Sequence, residues 1–227
     1  MDCRLAFRGV SALAVGVAFS ALGGWAADAA QDPAQNWPQW RGPSGTGVSA
    51  TADPPVTWSA EKNVRWKVKL PGHGSGTPII WDDRIFLQTA IPTTDARPML
   101  TEGGGGPPTV RPAGPIRFTL LCLDRKTGKT VWQRAAREEV PHEGHHPDHG
   151  YSSQSAVTDG KHVYAYFGSR GLYCYDLDGN LKWSRSLGKM RTRNGFGEGS
   201  TPALHGNTLV ITWDHEGDDF IVALDKN

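Results

Sequence analysis

One short pattern returns along this chain at nearly constant spacing. Residues 120–132 read L-L-C-L-D-R-K-T-G-K-T-V-W, residues 172–183 read L-Y-C-Y-D-L-D-G-N-L-K-W, and residues 220–227 read F-I-V-A-L-D-K-N. The aligned aspartates Asp124, Asp176 and Asp225 lie 52 and 49 residues apart. A period near 50 built from short strands predicts a radial β-repeat, in which no single unit can bury its apolar face alone. The third copy stops before a Gly and a Trp, so the sequence reads as the N-terminal part of a longer protein.

Each repeat is preceded by a hairpin signal. Residues 77–87 place Asp82-Asp83 between two apolar runs, residues 155–166 place Asp159-Gly160 there, and residues 201–212 place Gly206-Asn207 there. Such pairs between β-branched runs predict tight turns. Each hairpin leads to a third strand that ends at the repeat aspartate. A Gly-containing turn then leads to a fourth strand carrying Trp132 or Trp183. The expected fold is all-β: a β-propeller of four-stranded antiparallel blades, with about three blades present and the ring incomplete. Gly (28) and Pro (16) supply the many turns this needs.

The expected organisation begins with a signal peptide at residues 1–29. Arg4 and Arg8 form its basic end, residues 10–22 its apolar run, and Ala27-Asp28-Ala29 its cleavage site. That run is too short for a spanning helix, which needs about 20 residues. A Trp/Pro/Gly-rich lead-in, residues 30–62, follows, with its tryptophans expected to pack on the domain. The partial propeller covers residues 63–227. Residues 63–70 alternate apolar and polar and are expected to be a closing strand for the ring. Residues 77–134 form one blade, interrupted by a loop insertion at 90–115 whose run Gly103–Gly106 and prolines predict a mobile surface loop. Residues 154–185 form the next blade and 200–227 a truncated one.

The spacing Asp124-x-x-Thr127-Gly128-x-x-x-Trp132 resembles the tryptophan-docking repeat of the pyrroloquinoline quinone (PQQ)-like β-propeller proteins, in the quinoprotein alcohol dehydrogenase-like superfamily. The second copy is one residue shorter and lacks the Thr. The resemblance implies structural roles in blade packing for Asp124, Gly128, Trp132, Asp176, Gly179 and Trp183. It also implies two kinds of relative. Quinoprotein dehydrogenases hold PQQ with Ca²⁺ or a lanthanide and carry a disulfide between adjacent cysteines. The propeller lipoprotein of the outer-membrane β-barrel assembly machinery is a scaffold without catalysis. This sequence has no adjacent cysteine pair. Cys122 and Cys174 occupy equivalent positions in neighbouring sheets, which pack about 10 Å apart, beyond disulfide reach. Both are expected as buried strand residues.

Strand alternation places the loop between strands two and three, and the loop between blades, on one face. Most unusual polar residues fall there. His142, His145, His146 and His149 are the candidate ligands for a transition metal, set against a polar loop whose imidazoles bond to backbone. Asp214, Glu216 and Asp218 are weighed as an oxygen-rich calcium site against a charged turn. Arg170, Arg191 and Arg193 are weighed as an anion clamp against pairing with those acids. No catalytic or cofactor-binding residue is assigned.

A formal net charge of +1 argues against nucleic acid as partner. No integral membrane span is expected. The sequence therefore predicts an exported, periplasmic or secreted binding or scaffold module of the cell envelope, with an unknown protein or small-molecule ligand on the loop-rich face. The alternative is a PQQ- or metal-dependent oxidoreductase, with PQQ plus calcium or a transition metal held in the full-length protein.

Overall fold

The computed structural model describes residues 35–101 and 107–227. The expected signal peptide and the run Gly103–Gly106 lie outside the described residues. Those described hold strands and short 3-10 turns, with no α-helix. The strands are β1 (Ile79–Trp81), β2 (Arg84–Pro92), β3 (Met99–Thr101), β4 (Thr109–Arg111), β5 (Ile116–Asp124) and β6 (Thr130–Glu139). They continue with β7 (Val157–Thr158), β8 (His162–Tyr166), β9 (Leu172–Asp176), β10 (Leu181–Arg185), β11 (Ala203–His205), β12 (Thr208–Trp213) and β13 (Phe220–Asp225).

These strands form antiparallel sheets in the orders β1-β2-β5-β6, β7-β8-β9-β10 and β11-β12-β13, with β3-β4 as a separate pair. Each hairpin turn sits where the sequence placed it. Asp82, Gly160 and Gly206 take positive φ of 53°, 84° and 56°, the conformation that Asx and Gly residues accept most easily. The lead-in is anchored at its start, where Trp37 exchanges both backbone hydrogen bonds with Ile80 on the outer side of β1.

Period-two alternation stacks the sheets. Phe118, Leu120 and Cys122 of β5 face Val163, Ala165, Tyr173 and Tyr175 in one apolar cluster. The opposite face of that second sheet, Tyr164, Tyr166, Leu172 and Cys174, packs on Leu209, Ile211 and Trp213 of the third. Burial on both faces makes the central strands almost continuously apolar, as in β5.

The repeat residues tie neighbouring sheets at the turn end. Trp132 Nε1 donates to the Leu177 carbonyl at 3.0 Å. Trp183 Nε1 donates to the Lys226 carbonyl at 3.1 Å. Leu177 and Lys226 each directly follow a repeat aspartate. Asp124 Oδ1 accepts from the Thr127 N–H and hydroxyl, both at 2.7 Å. Asp176 Oδ1 accepts from the N–H groups of Asp178 and Asn180. Gly179 has φ +83°, and a Cβ there would lie 2.8 Å from the Trp132 indole. The glycine thus serves both the turn and the seat of the preceding sheet's tryptophan.

Two segments lie largely outside the three repeat sheets. Residues 63–70 join no sheet among the described residues. A strand needs a neighbour for its backbone groups, and no described strand offers one here. Trp66 nonetheless behaves as a docking tryptophan: its Nε1 donates to the Arg125 carbonyl at 3.0 Å, and a Cβ on Gly128 would meet its ring at 2.5 Å. The described part of the insertion carries strands of its own. Residues 90–92 extend β2 opposite Phe118, Arg117 and Ile116. Beyond them β3 and β4 pair through Met99 with Arg111, Leu100 with Val110 and Thr101 with Thr109. The Gly/Pro run masks this hairpin in the sequence, because each arm is only three residues long.

Candidate functional site

The loops opposite the tryptophan seats come together at the inner strands of the sheets. The approach segments to β1, β7 and β11 are linked in series. The Thr77 N–H donates to Ser155 Oγ at 2.8 Å, and the Ser155 N–H donates to Thr201 Oγ1 at 3.1 Å. Gly74 and Gly76 permit this close approach; a Cβ on either would fall within 2.4 Å of the Gln88 or Gln154 carbonyl.

A buried ion pair lies beneath the loops. Arg170, in the 3-10 turn Gly168–Arg170, is 4% exposed, and its Nη1 donates to Glu198 Oε1 at 2.7 Å. Glu198 also accepts from the Ser169 N–H and hydroxyl, both at 2.6 Å. Glu139 stands 3.7 Å from Arg170 Nε, and the guanidinium lies over the rings of Phe118 and Tyr151. Of the three arginines weighed from the sequence, Arg170 therefore pairs with Glu198 and Glu139, neither of which was among its expected partners. Arg191 Nη2 donates to the Glu216 carbonyl, and Arg193 is exposed. The acidic turn is closed by a bond from the His215 N–H to Asp219 Oδ1.

The histidine run is held by backbone. His142 Nε2 donates to the Met190 carbonyl at 2.7 Å, His145 Nδ1 to the His146 carbonyl at 2.7 Å, and His149 Nδ1 to the Gly150 carbonyl at 2.9 Å. His146 Nδ1 accepts from the Asp148 N–H at 3.2 Å, with its ring edge-on to Phe196. Among the described residues no three His, Cys, Asp or Glu side chains converge as metal ligands. Two of the four histidines meet around a cavity instead.

That cavity measures about 300 Å³. Its walls come from the insertion (Thr94, Ala96, Pro98, Val110, Pro112, Ala113) and from the inter-sheet loops (His73, His145, His149, Tyr151). Val110 and His145 exchange backbone hydrogen bonds at 2.8 and 3.0 Å, clamping the β3-β4 flap to the loop. Burial pushes the His145 imidazole below its ordinary range. Its bond to the His146 carbonyl opposes this, and the nearby His149, His73 and His146 reinforce it. The sequence placed His73, His145 and His149 in loops of one face, but did not point to Tyr151 or the flap. No local motif marks those residues; the chain topology brings them there.

Stacked four-stranded sheets with docked tryptophans define a PQQ-like β-propeller repeat protein. The chain matches the family model described as outer membrane protein assembly factor BamB over residues 25–226. It belongs to that family. No curated protein matches the chain. Among solved structures it is similar to quinohemoprotein alcohol dehydrogenase ADHIIG from Pseudomonas putida HK5, at 14% identity over 71% of this chain and 20% of that one, with a TM-score of 0.40. BamB from Moraxella catarrhalis is 15% identical over 62% of this chain and 48% of that one, with a TM-score of 0.29. A europium-containing methanol dehydrogenase is 14% identical over 55% and 26%, with a TM-score of 0.25. The chain thus spans between a fifth and about half the length of these proteins.

The described residues do not fit the quinone site that the resemblance implies. Cys122 and Cys174 are free, buried and set in separate sheets. Burial raises their thiols to about 11 and about 12. The buried carboxylate on this side, Glu198, is already engaged by Ser169 and Arg170.

Proposed function

We propose that this chain is a non-catalytic, protein-binding scaffold of the cell envelope, active in the assembly of outer-membrane proteins and engaging its clients through the loop-rich face. One observation favours this reading over the oxidoreductase reading. The β3-β4 flap carries exposed apolar residues, Met99 at 59% and Leu100 at 58%, on a strand whose outer edge has no neighbour among the described residues. An unpaired strand edge with apolar side chains is a template for an extended polypeptide. Unfolded β-barrel chains in transit through the envelope offer such segments. The charge of +1 suits a partner held by backbone pairing more than by an electrostatic field.

Family membership supports the assembly role. No helix of the described residues is long and apolar enough to cross a membrane. The test is deletion of the encoding gene, followed by measurement of outer-membrane β-barrel abundance. Reduced barrel levels, restored by the native chain but not by one lacking residues 94–113, support the reading. Unchanged levels, together with tight one-to-one binding of PQQ and Ca²⁺ by the full-length protein, would replace it with the oxidoreductase reading.

A further inference from the structure

We infer that the cavity under the β3-β4 flap is a preformed site for an uncharged, hydrocarbon-like ring compound, held by apolar contact with its walls. Its floor is the apolar core itself. Ala90 and Ile116, 4% and 6% exposed, line it and belong to the cluster between the first two sheets. Its roof is the insertion, with alternate residues Thr94, Ala96 and Pro98 on one arm and Val110 and Pro112 on the other. The second sheet joins the corresponding strands, β8 and β9, through the short turn Gly168–Arg170. The roof is thus an addition to the repeat and not a part of it.

The walls resist collapse. Pro92, Pro98, Pro112, Pro115 and Pro147 all line the cavity, and each ring fixes its backbone φ. The insertion is tied down twice, by the Val110–His145 pair and by the Thr93 N–H, which donates to the Pro115 carbonyl at 3.0 Å. The space that remains is about 300 Å³, whereas a dry apolar cavity of ~150 Å³ already takes benzene. No Lys, Arg, Asp or Glu side chain lines it, so an ionic ligand would lose its water without gaining a counter-charge from these groups. Burial lowers the His145 imidazole and raises the Tyr151 hydroxyl, and in both walls it favours the uncharged form. That hydroxyl donates to the Val110 carbonyl at 3.5 Å. The inference goes beyond the scaffold reading and needs only the cavity.

The test uses three probes that share one ring and differ in charge: toluene, benzoate and benzylammonium. Each is titrated into the full 227-residue chain at about pH 8, above the ordinary imidazole range, and followed by calorimetry. Saturable one-to-one toluene binding is expected, with both ions weaker by roughly ten-fold or more. Nuclear Overhauser contacts from the toluene ring to the methyl groups of Ala90 and Ile116 should place the guest on the cavity floor, and this readout needs no variant. Val110→Trp, which fills the space from the roof, should remove toluene binding. Absence of saturable toluene binding, an equal affinity for benzoate or benzylammonium, contacts confined to other methyl groups, or full toluene binding by a folded Val110→Trp protein would each overturn the inference.

Discussion

The indole N–H of Trp132 reaches out of its own sheet to the carbonyl of Leu177 in the next, at 3.0 Å. The bond comes with burial: Trp132 is 8% exposed, and the Gly179 Cα forms part of its seat. Trp132→Ala should therefore destabilise the chain by about 3–5 kcal/mol. Trp132→Phe keeps much of the ring packing and should cost less, leaving the Leu177 carbonyl without its donor. Gly179→Ala should cost more than about 1 kcal/mol, because it combines positive φ with collision against the indole. Denaturant titration of the three variants checks the order.

The Arg170–Glu198 pair is a different kind of contact. Its side chains are 4% and 5% exposed, so each charge depends on its partner. Glu198→Ala should cost about 3–5 kcal/mol, by leaving the guanidinium without its closest counter-charge. The double variant Arg170→Met, Glu198→Leu should recover most of that loss. Thermal melts of the two proteins test this; equal destabilisation in both would contradict it.

Acid should expose a second ion pair. Burial alone would raise the pKa of Asp159. The Lys226 ammonium at 2.8 Å and the N–H groups of His162 and Lys161 outweigh burial and hold it down to about 2, from an ordinary 3.8. A depressed folded-state pKa stabilises above the unfolded value and loses that contribution as pH falls through the folded one. The Asp159 contribution is therefore complete above about pH 4 and fades toward about pH 2. Melting temperature followed between pH 5 and pH 2 should fall less steeply for Asp159→Asn than for the native chain.

The architecture was legible in the sequence where local chemistry and fold agree. Asp124, Gly128 and Trp132 fix a turn, a left-handed residue and a large apolar anchor within nine positions, and the same triad returns in the second repeat. Trp66 was harder to read, because its segment has no repeat aspartate before it. Its basic surroundings do match those of Trp132 and Trp183. The candidate site was legible only in part. The clustered histidines were weighed as metal ligands or as a polar loop bonded to backbone, and backbone carbonyls take one nitrogen of His142, His145 and His149. Glu198 and Arg170 are 28 residues apart and Val110 and His145 are 35 apart. Such pairings follow from the stacking of sheets, and no local pattern announces them.

The loop face carries the functional claim, and site-specific photo-crosslinking in intact cells tests it most directly. A photoreactive residue at Leu100, on the exposed flap strand, should capture exported chains that later fold as outer-membrane β-barrels. The same residue at Lys126, in the turn between β5 and β6 on the opposite face, should capture few or none. Equal capture from both positions, or none from Leu100 in a folded protein, would contradict a scaffold that works through its loops.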